Sequence, residues 1–378
     1  MALAKRRQNR IKSKKNLKRR RNILLVVFVM GFVSGVGMLL YKAGLLPANE
    51  TASEWYDTSK EDVVLVQLPA DDAPHQNYTE WWYYNGQLQG PDGHRYSFHY
   101  TLFVINALTV HTVIHASFVD HKTGKRFTHQ SRTGGNASLD TKDRFDFSVG
   151  DWIMQGGNGK DKIQAKTDEF YFSLDLQSTQ PPVFQGGTGL LDFKEAGKSY
   201  YYSRPRMSIE GYAGPVGKEQ PVTGVAWFDH QWGDFRTTVF GWEWFALQLD
   251  DGADVMIYQL YSGDQQPLLV SGTYTKNGAT SVLDQADIRS KSVKSWKSPL
   301  SSISYPLEWV IEIPKENIEV SVKPLHQASE FDGRKTTYNL YWEGAVQVTG
   351  SHGGKGFLEV NTADQLASKQ KVVSSAGQ

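Results

Sequence analysis

The sequence contains no cysteine. That excludes disulfide staples, thiolate-held metals and a cysteine nucleophile. It has no Gly-x-Ser-x-Gly elbow and no His-Glu-x-x-His motif, so serine-hydrolase and zincin signatures are missing. Residues 155–160 (QGGNGK) lack the full spacing of a phosphate loop and the helix that should follow, and read as a hairpin turn. His111 and His115 would lie roughly 13 Å apart on a strand, too far to chelate one ion. His99 and His121 add no metal-ligand spacing. Neither a metal nor a cofactor is therefore expected. Outside one apolar run, no long stretch shows a helical period.

Acids are missing from residues 1–21, which carry eleven Lys or Arg. The remainder holds thirty basic against forty acidic residues. An acidic body is a poor partner for nucleic acid, and none is expected. Residues 22–41 then run without a charge (NILLVVFVMGFVSGVGMLLY). Twenty residues at about 1.5 Å rise suffice to cross the hydrocarbon core. The basic arm should stay in the cytoplasm, which places the rest of the chain outside. A cleaved signal peptide is the alternative; the long basic region and the lack of a small-x-small site argue against it. The expected organisation is a basic arm (1–21), a single-pass anchor (22–42) and a linker (43–62). A folded body follows, and a disordered polar tail (363–378) ends the chain.

The chain as a whole is rich in rings, with 11 Trp, 18 Tyr and 18 Phe, and in glycine, with 35, and most of them fall in the body. Short aromatic and β-branched runs alternate with turn signals, the pattern of an all-β sandwich or barrel. Residues 96–105 and 110–119 are the clearest strands. Two segments echo each other: WWYYNGQLQGPDG (81–93) and WEWFALQLDDG (242–252). Each gives an aromatic cluster, Gln-Leu, a turn and a strand. The echo predicts two related β-domains, taken as 63–204 and 205–362.

Candidate chemistry concentrates in residues 225–251 (VAWFDHQWGDFRTTVFGWEWFALQLDD). Trp227, His230, Trp232, Trp242 and Trp244 sit among Asp229, Asp234 and Glu243. Indoles around acids and a histidine make either an ordinary core or a desolvated site. His230 is the leading proton carrier. In a strand it shares a face with Trp232, with Asp229 on the other; in a loop all three converge. Glu80 beside Trp81-Trp82, and Glu243 between two indoles, invite a raised pKa suited to a general acid.

Taken together, Glu80-Trp-Trp-Tyr-Tyr-Asn-Gly-Gln-Leu, Tyr100-Thr-Leu-Phe, Trp227-Phe-Asp-His-Gln-Trp, Gly241-Trp-Glu-Trp-Phe-Ala-Leu-Gln-Leu-Asp-Asp-Gly and Tyr341-Trp-Glu-Gly-Ala-Val resemble the AttH/carotenoid 1,2-hydratase (CrtC-like) lipocalin-like family. Its extracytoplasmic members are called predicted secreted hydrolases. The motifs span residues 78–360. The resemblance implies two lipocalin-like β-barrel domains. It also implies a hydratase site with a His and a Trp two residues apart, matched by His230 and Trp232, and a Tyr on a following strand, matched by Tyr258. The acid that should follow is absent between Val255 and Tyr261, which leaves Asp229 or Glu243 to supply it.

Two functions follow as expectations. One is binding of an apolar, lipid- or terpenoid-like molecule for envelope transport, with the membrane and a membrane transport complex as partners. The other is acid–base catalysis of hydratase or hydrolase type through His230, Asp229 and Glu243. In both, Glu80, Trp81, Trp82, Trp227, Trp232, Trp242, Trp244 and Tyr258 line the site.

Overall fold

The computed structural model describes residues 64–138, 141–235, 240–262 and 266–362. The expected basic arm, anchor, linker and tail lie outside them. Among the described residues, no helix is long and apolar enough to cross a membrane.

The fold is all β. Twelve strands form the first sheet: β1 (Thr79–Gln89), β2 (Arg95–Asn106), β3 (Val110–Asp120), β4 (Lys125–Gly134), β5 (Phe145–Val149), β6 (Trp152–Gly157), β7 (Lys160–Lys166), β8 (Phe170–Ser178), β9 (Val183–Phe184), β10 (Leu190–Asp192), β11 (Lys198–Pro215) and β12 (Gln220–Gly233). Ten form the second: β13 (Gly241–Leu249), β14 (Asp254–Tyr261), β15 (Pro267–Lys276), β16 (Ala279–Leu283), β17 (Arg289–Lys297), β18 (Ser304–Ile313), β19 (Ile318–Pro324), β20 (Glu330–Gly333), β21 (Asn339–Gly350) and β22 (Gly354–Asn361). Neighbouring strands run antiparallel, and each sheet curls around its own core, as two lipocalin-like domains would.

The two sheets repeat one topology. Their main paths run β4-β3-β2-β1-β12-β11-β8-β7-β6-β5 and β16-β15-β14-β13-β22-β21-β19-β18-β17. β1 and β13 hold equivalent places, each between a hairpin partner and the last strand of its sheet. This is the structural form of the echo between residues 81 and 242. The boundary expected between residues 204 and 205 falls inside β11, in the middle of the first sheet. The chain changes sheets between Gly233 and Gly241, because β12 is needed to cover the free edge of β1.

Residues 155–160 do form a hairpin: Asn158 and Gly159 take φ of 52° and 73° between β6 and β7. Two consecutive left-handed residues match the twist of the flanking strands, and Asn-Gly tolerates them.

Side-chain alternation sorts the apolar residues into three groups. Trp82, Tyr84, Phe98 and Phe172 fill the first sheet. Leu247, Ile257, Ile311 and Val322 fill the second. Tyr83, Tyr201, Trp227, Trp244, Tyr258 and Phe357 form a third cluster drawn from both sheets. That third cluster borders the site.

Candidate active site

A cavity of about 330 Å³ is lined by residues of both sheets. β1 supplies Trp81 and Tyr83, and β12 supplies Asp229 and Gln231. β13 supplies Trp242 and Trp244, β14 Tyr258, β21 Tyr341 and Glu343, and β22 Glu359. Indole and phenol faces make the wall mostly apolar, with a few convergent polar groups, as ligand sites commonly are.

Three carboxyl groups reach this wall. Glu343 and Glu359 are directly opposed across the β21–β22 ladder. Facing residues of an antiparallel pair have Cβ atoms about 4.5–5.5 Å apart, so two buried carboxylates there repel strongly. Burial, and then the charge of Glu359, drives the Glu343 pKa well above the carboxylate range. Burial raises Glu359 to about 7, against a hydrogen bond from Trp242. The pair therefore holds a proton at neutral pH. Tyr83 donates its hydroxyl to Glu343 Oε1 at 2.5 Å. On the far side, His99 Nδ1 lies 3.2 Å from Glu343 Oε2 and 2.8 Å from Ser117 Oγ. Burial, with Arg126 and His115 nearby, pushes the His99 pKa well down, so it brings no balancing charge.

Asp229 is the third acid. Ser203 Oγ and Trp227 Nε1 donate to its Oδ1 at 2.5 and 2.7 Å, and Tyr201 donates to Oδ2 at 2.7 Å. Trp244 Nε1 in turn donates to the Tyr201 hydroxyl at 3.1 Å. Burial outweighs these three donors and lifts Asp229 to about 7. His115 closes another part of the wall, bonded to Tyr341 and Thr336 at 2.9 and 2.7 Å. Burial drops its pKa to about 3.

The structure thus brings together Trp81, Asp229, Trp242, Trp244 and Tyr258 of the expected residues. Trp227 lies behind the wall, where it holds Asp229 and packs edge-on against Trp244. The others do not reach the cavity. Residues 220–233 form a regular strand, so Asp229 and His230 point to opposite faces. His230, Trp232, Trp82 and Glu80 face the interior of the first sheet. There His230 Nε2 meets Glu80 Oε1 at 2.8 Å and stacks on Trp82. Glu80 does not have the raised pKa expected of it. Burial pushes it up, but bonds to His230 and His75 outweigh burial and the net direction is down. Glu243 also lies off the wall, bonded to Tyr261 and Gln259 at 2.6 and 3.3 Å, and burial raises it to about 7.

Nothing in the local sequence pairs Glu343 with Glu359, because each is the one acid in its own strand. Only their cross-strand register makes them a pair. Tyr341-Trp-Glu-Gly carried the one signal available, an acid beside an indole.

The molecule is thus a twin-sheet β-protein with a carboxyl-lined aromatic cavity between its sheets. The family model for AttH-like proteins matches residues 60–363, and the chain belongs to that family. Among characterised proteins it is similar to the dehydratase asqC of Emericella nidulans, 25% identical over 299 residues, 72% of this chain and 81% of that protein. Among solved structures it is similar to an AttH protein of Nitrosomonas europaea, with TM-score 0.71 and 26% identity over 79% of this chain and 99% of that one. Kievitone hydratase of Nectria haematococca shares the fold, with TM-score 0.65 and 19% identity over 79% and 94%.

Proposed function

We propose that the protein is an acid–base lyase that adds water to, or eliminates it from, an apolar substrate in the cavity between the sheets. The observation that carries this reading is the opposed Glu343–Glu359 pair on an aromatic wall. A protonated and an ionised carboxyl side by side are the acid and base that such a reaction needs. In hydration, Glu343 gives its proton to one alkene carbon, and indole faces stabilise the cation that forms. Water bonds to the other carbon as Glu359 takes one of its protons. Elimination runs the same steps backwards, with Glu359 protonating the departing hydroxyl and Glu343 taking the carbon-bound proton. The similarity to a dehydratase supports this chemistry. Binding and envelope transport of an apolar molecule would use the same wall, but would gain nothing from two desolvated carboxyl groups. The proton carrier expected in the sequence, His230, gives way here to the glutamate pair. We also propose, from residues 1–42 of the sequence, a single-pass anchor with the body outside the cytoplasm.

The test is incubation with isoprenoid alkenes and allylic or benzylic alcohols in isotope-labelled water, followed by mass spectrometry. A product gaining or losing one water, with label in the new hydroxyl, is expected. Turnover by Glu343→Gln and Glu359→Gln equal to wild type would overturn the assignment. Quenching of tryptophan fluorescence by these compounds without any turnover would favour the carrier.

A further inference from the structure

The structure assigns a divalent-metal site to His75, Glu80 and His230, inside the first sheet and across the β1–β12 pair from the cavity. Each offers one donor atom, and the three atoms lie within 4.8 Å of one another. His75 Nδ1 is 2.7 Å and His230 Nε2 2.8 Å from the same oxygen, Glu80 Oε1. Two imidazoles and one carboxylate, with no thiolate available in the chain, suit zinc or a similar first-row ion.

The surroundings are built as such sites are. The second Glu80 oxygen accepts the His75 backbone N–H at 2.8 Å, which fixes the carboxylate. The other His75 nitrogen faces Asp71 Oδ1 at 3.4 Å, a carboxylate–histidine arrangement that orients a ligand ring. Trp232 stacks on His75 at 4.1 Å with an interplanar angle of 3°, and Trp82 covers His230 at 4.4 Å. Glu80 and His230 are fully buried, whereas His75 is 21% exposed. One side of the cluster is therefore open to an entering ion and to a fourth ligand such as water.

One feature argues against a merely structural histidine pair: a single carboxylate oxygen, Glu80 Oε1, is approached by both imidazoles, through His75 Nδ1 and His230 Nε2, which brings three donor atoms to one place. Tetrahedral ligands at about 2.0–2.1 Å from zinc sit about 3.3 Å apart, so the 2.7 and 2.8 Å spacings to Glu80 must open slightly and the two imidazole nitrogens, within 4.8 Å of each other, must settle at a similar separation. His75 precedes β1 in an irregular segment and can provide this adjustment. The three residues come from positions 75, 80 and 230, a spacing that no linear motif shows. Nothing in this assignment depends on the chemistry proposed for the cavity.

The test uses untagged full-length protein in detergent, stripped with chelator and titrated with Co²⁺ and then Zn²⁺. The expected result is one Co²⁺ per chain with visible ligand-field bands, displaced by Zn²⁺. His75→Ala and Glu80→Gln should abolish the bands. Asp71→Asn should weaken binding by about 10–100-fold, the usual cost of losing an outer-shell partner. His111→Ala, at a half-buried histidine elsewhere, should change nothing. Thermal melts check that each variant is folded, and His75→Ala in its irregular segment keeps the test valid if Glu80→Gln fails to fold. Absence of stoichiometric binding in wild type, or bands unchanged in His75→Ala, would overturn the site.

Discussion

The two sheets share a strand order but not a filling. About half of the buried residues inside the first sheet are aromatic. Among the described buried residues of the second, only Phe245, Tyr305, Trp309 and Trp342 are aromatic among aliphatic side chains. The difference follows into the polar groups. Buried hydroxyls and ring nitrogens need partners. The aromatic sheet accordingly encloses Tyr84 bonded to Asp161, Tyr202 bonded to Asp72, and His230 bonded to Glu80. The aliphatic sheet keeps most of its interior free of charge and presents Glu343 and Glu359 on its outer face. One topology thus serves as a chemically equipped barrel in one half, and in the other as a scaffold that delivers acids to the boundary.

Four measurements put this contrast to the test. The largest effect is expected at the boundary. Glu343→Gln or Glu359→Gln should lower turnover by roughly 10²–10⁴-fold, the usual worth of a positioned acid or base. Steady-state rates on the substrate found by labelling would show it.

Next comes the scaffold itself. Ile311 is fully buried in the aliphatic core, and Ile311→Ala should cost about 2–5 kcal/mol in denaturant unfolding. The rate per folded molecule should stay unchanged. A fall in that rate would mean the second core tunes the acids rather than merely carrying them.

A smaller effect is expected from pH. Burial moves Glu359 from 4.5 to about 7. The native state keeps a proton that the unfolded chain has lost between these values. Its contribution to stability is therefore complete below 4.5 and disappears as the pH rises through 7. Glu359→Gln cannot titrate, so it should gain stability relative to wild type across that window, by roughly 1–3 kcal/mol. A difference in Tm that does not vary with pH would show that the pair is ionised in the folded protein.

The smallest effect belongs to the outside of the first sheet. Lys125 and Glu169 form an ion pair at 3.3 Å, with both side chains 60% exposed. Lys125→Ala should change stability by less than about 1 kcal/mol. A larger loss would extend the importance of charge in this half to its surface.

Much of this was legible in the sequence where burial imposes a pattern. The β2 and β3 strands, the all-β class and the repeat all follow from alternating large apolar residues. β4, β16 and β17 carry no such pattern, because their faces are largely exposed and polar. The division at residue 204 failed for a related reason. Residues 198–212 read as the start of a new series, and only the pairing of β11 with β12 and β8 shows that they belong to the old one. The site was half legible. Tryptophans and Asp229 advertise themselves in one motif, whereas Glu343 and Glu359 become a pair only through register. The face on which His230 would lie was stated correctly for a strand. What local sequence left open was whether residues 229–232 form a strand or a loop.

The pairing of each sheet's first strand with its last also bears on folding kinetics. Thr79 lies opposite Gly233, and Trp242 opposite Asn361. Closing loops of this length costs chain entropy before the contacts can repay it, and such non-local ladders form slowly. A chain emerging from its N-terminus cannot complete the first sheet until Gly233 is free. Until then β1 offers an unsatisfied edge beside Trp81 and Trp82. Prompt release of the first half, more than the stability of the finished protein, should set how much of it escapes aggregation.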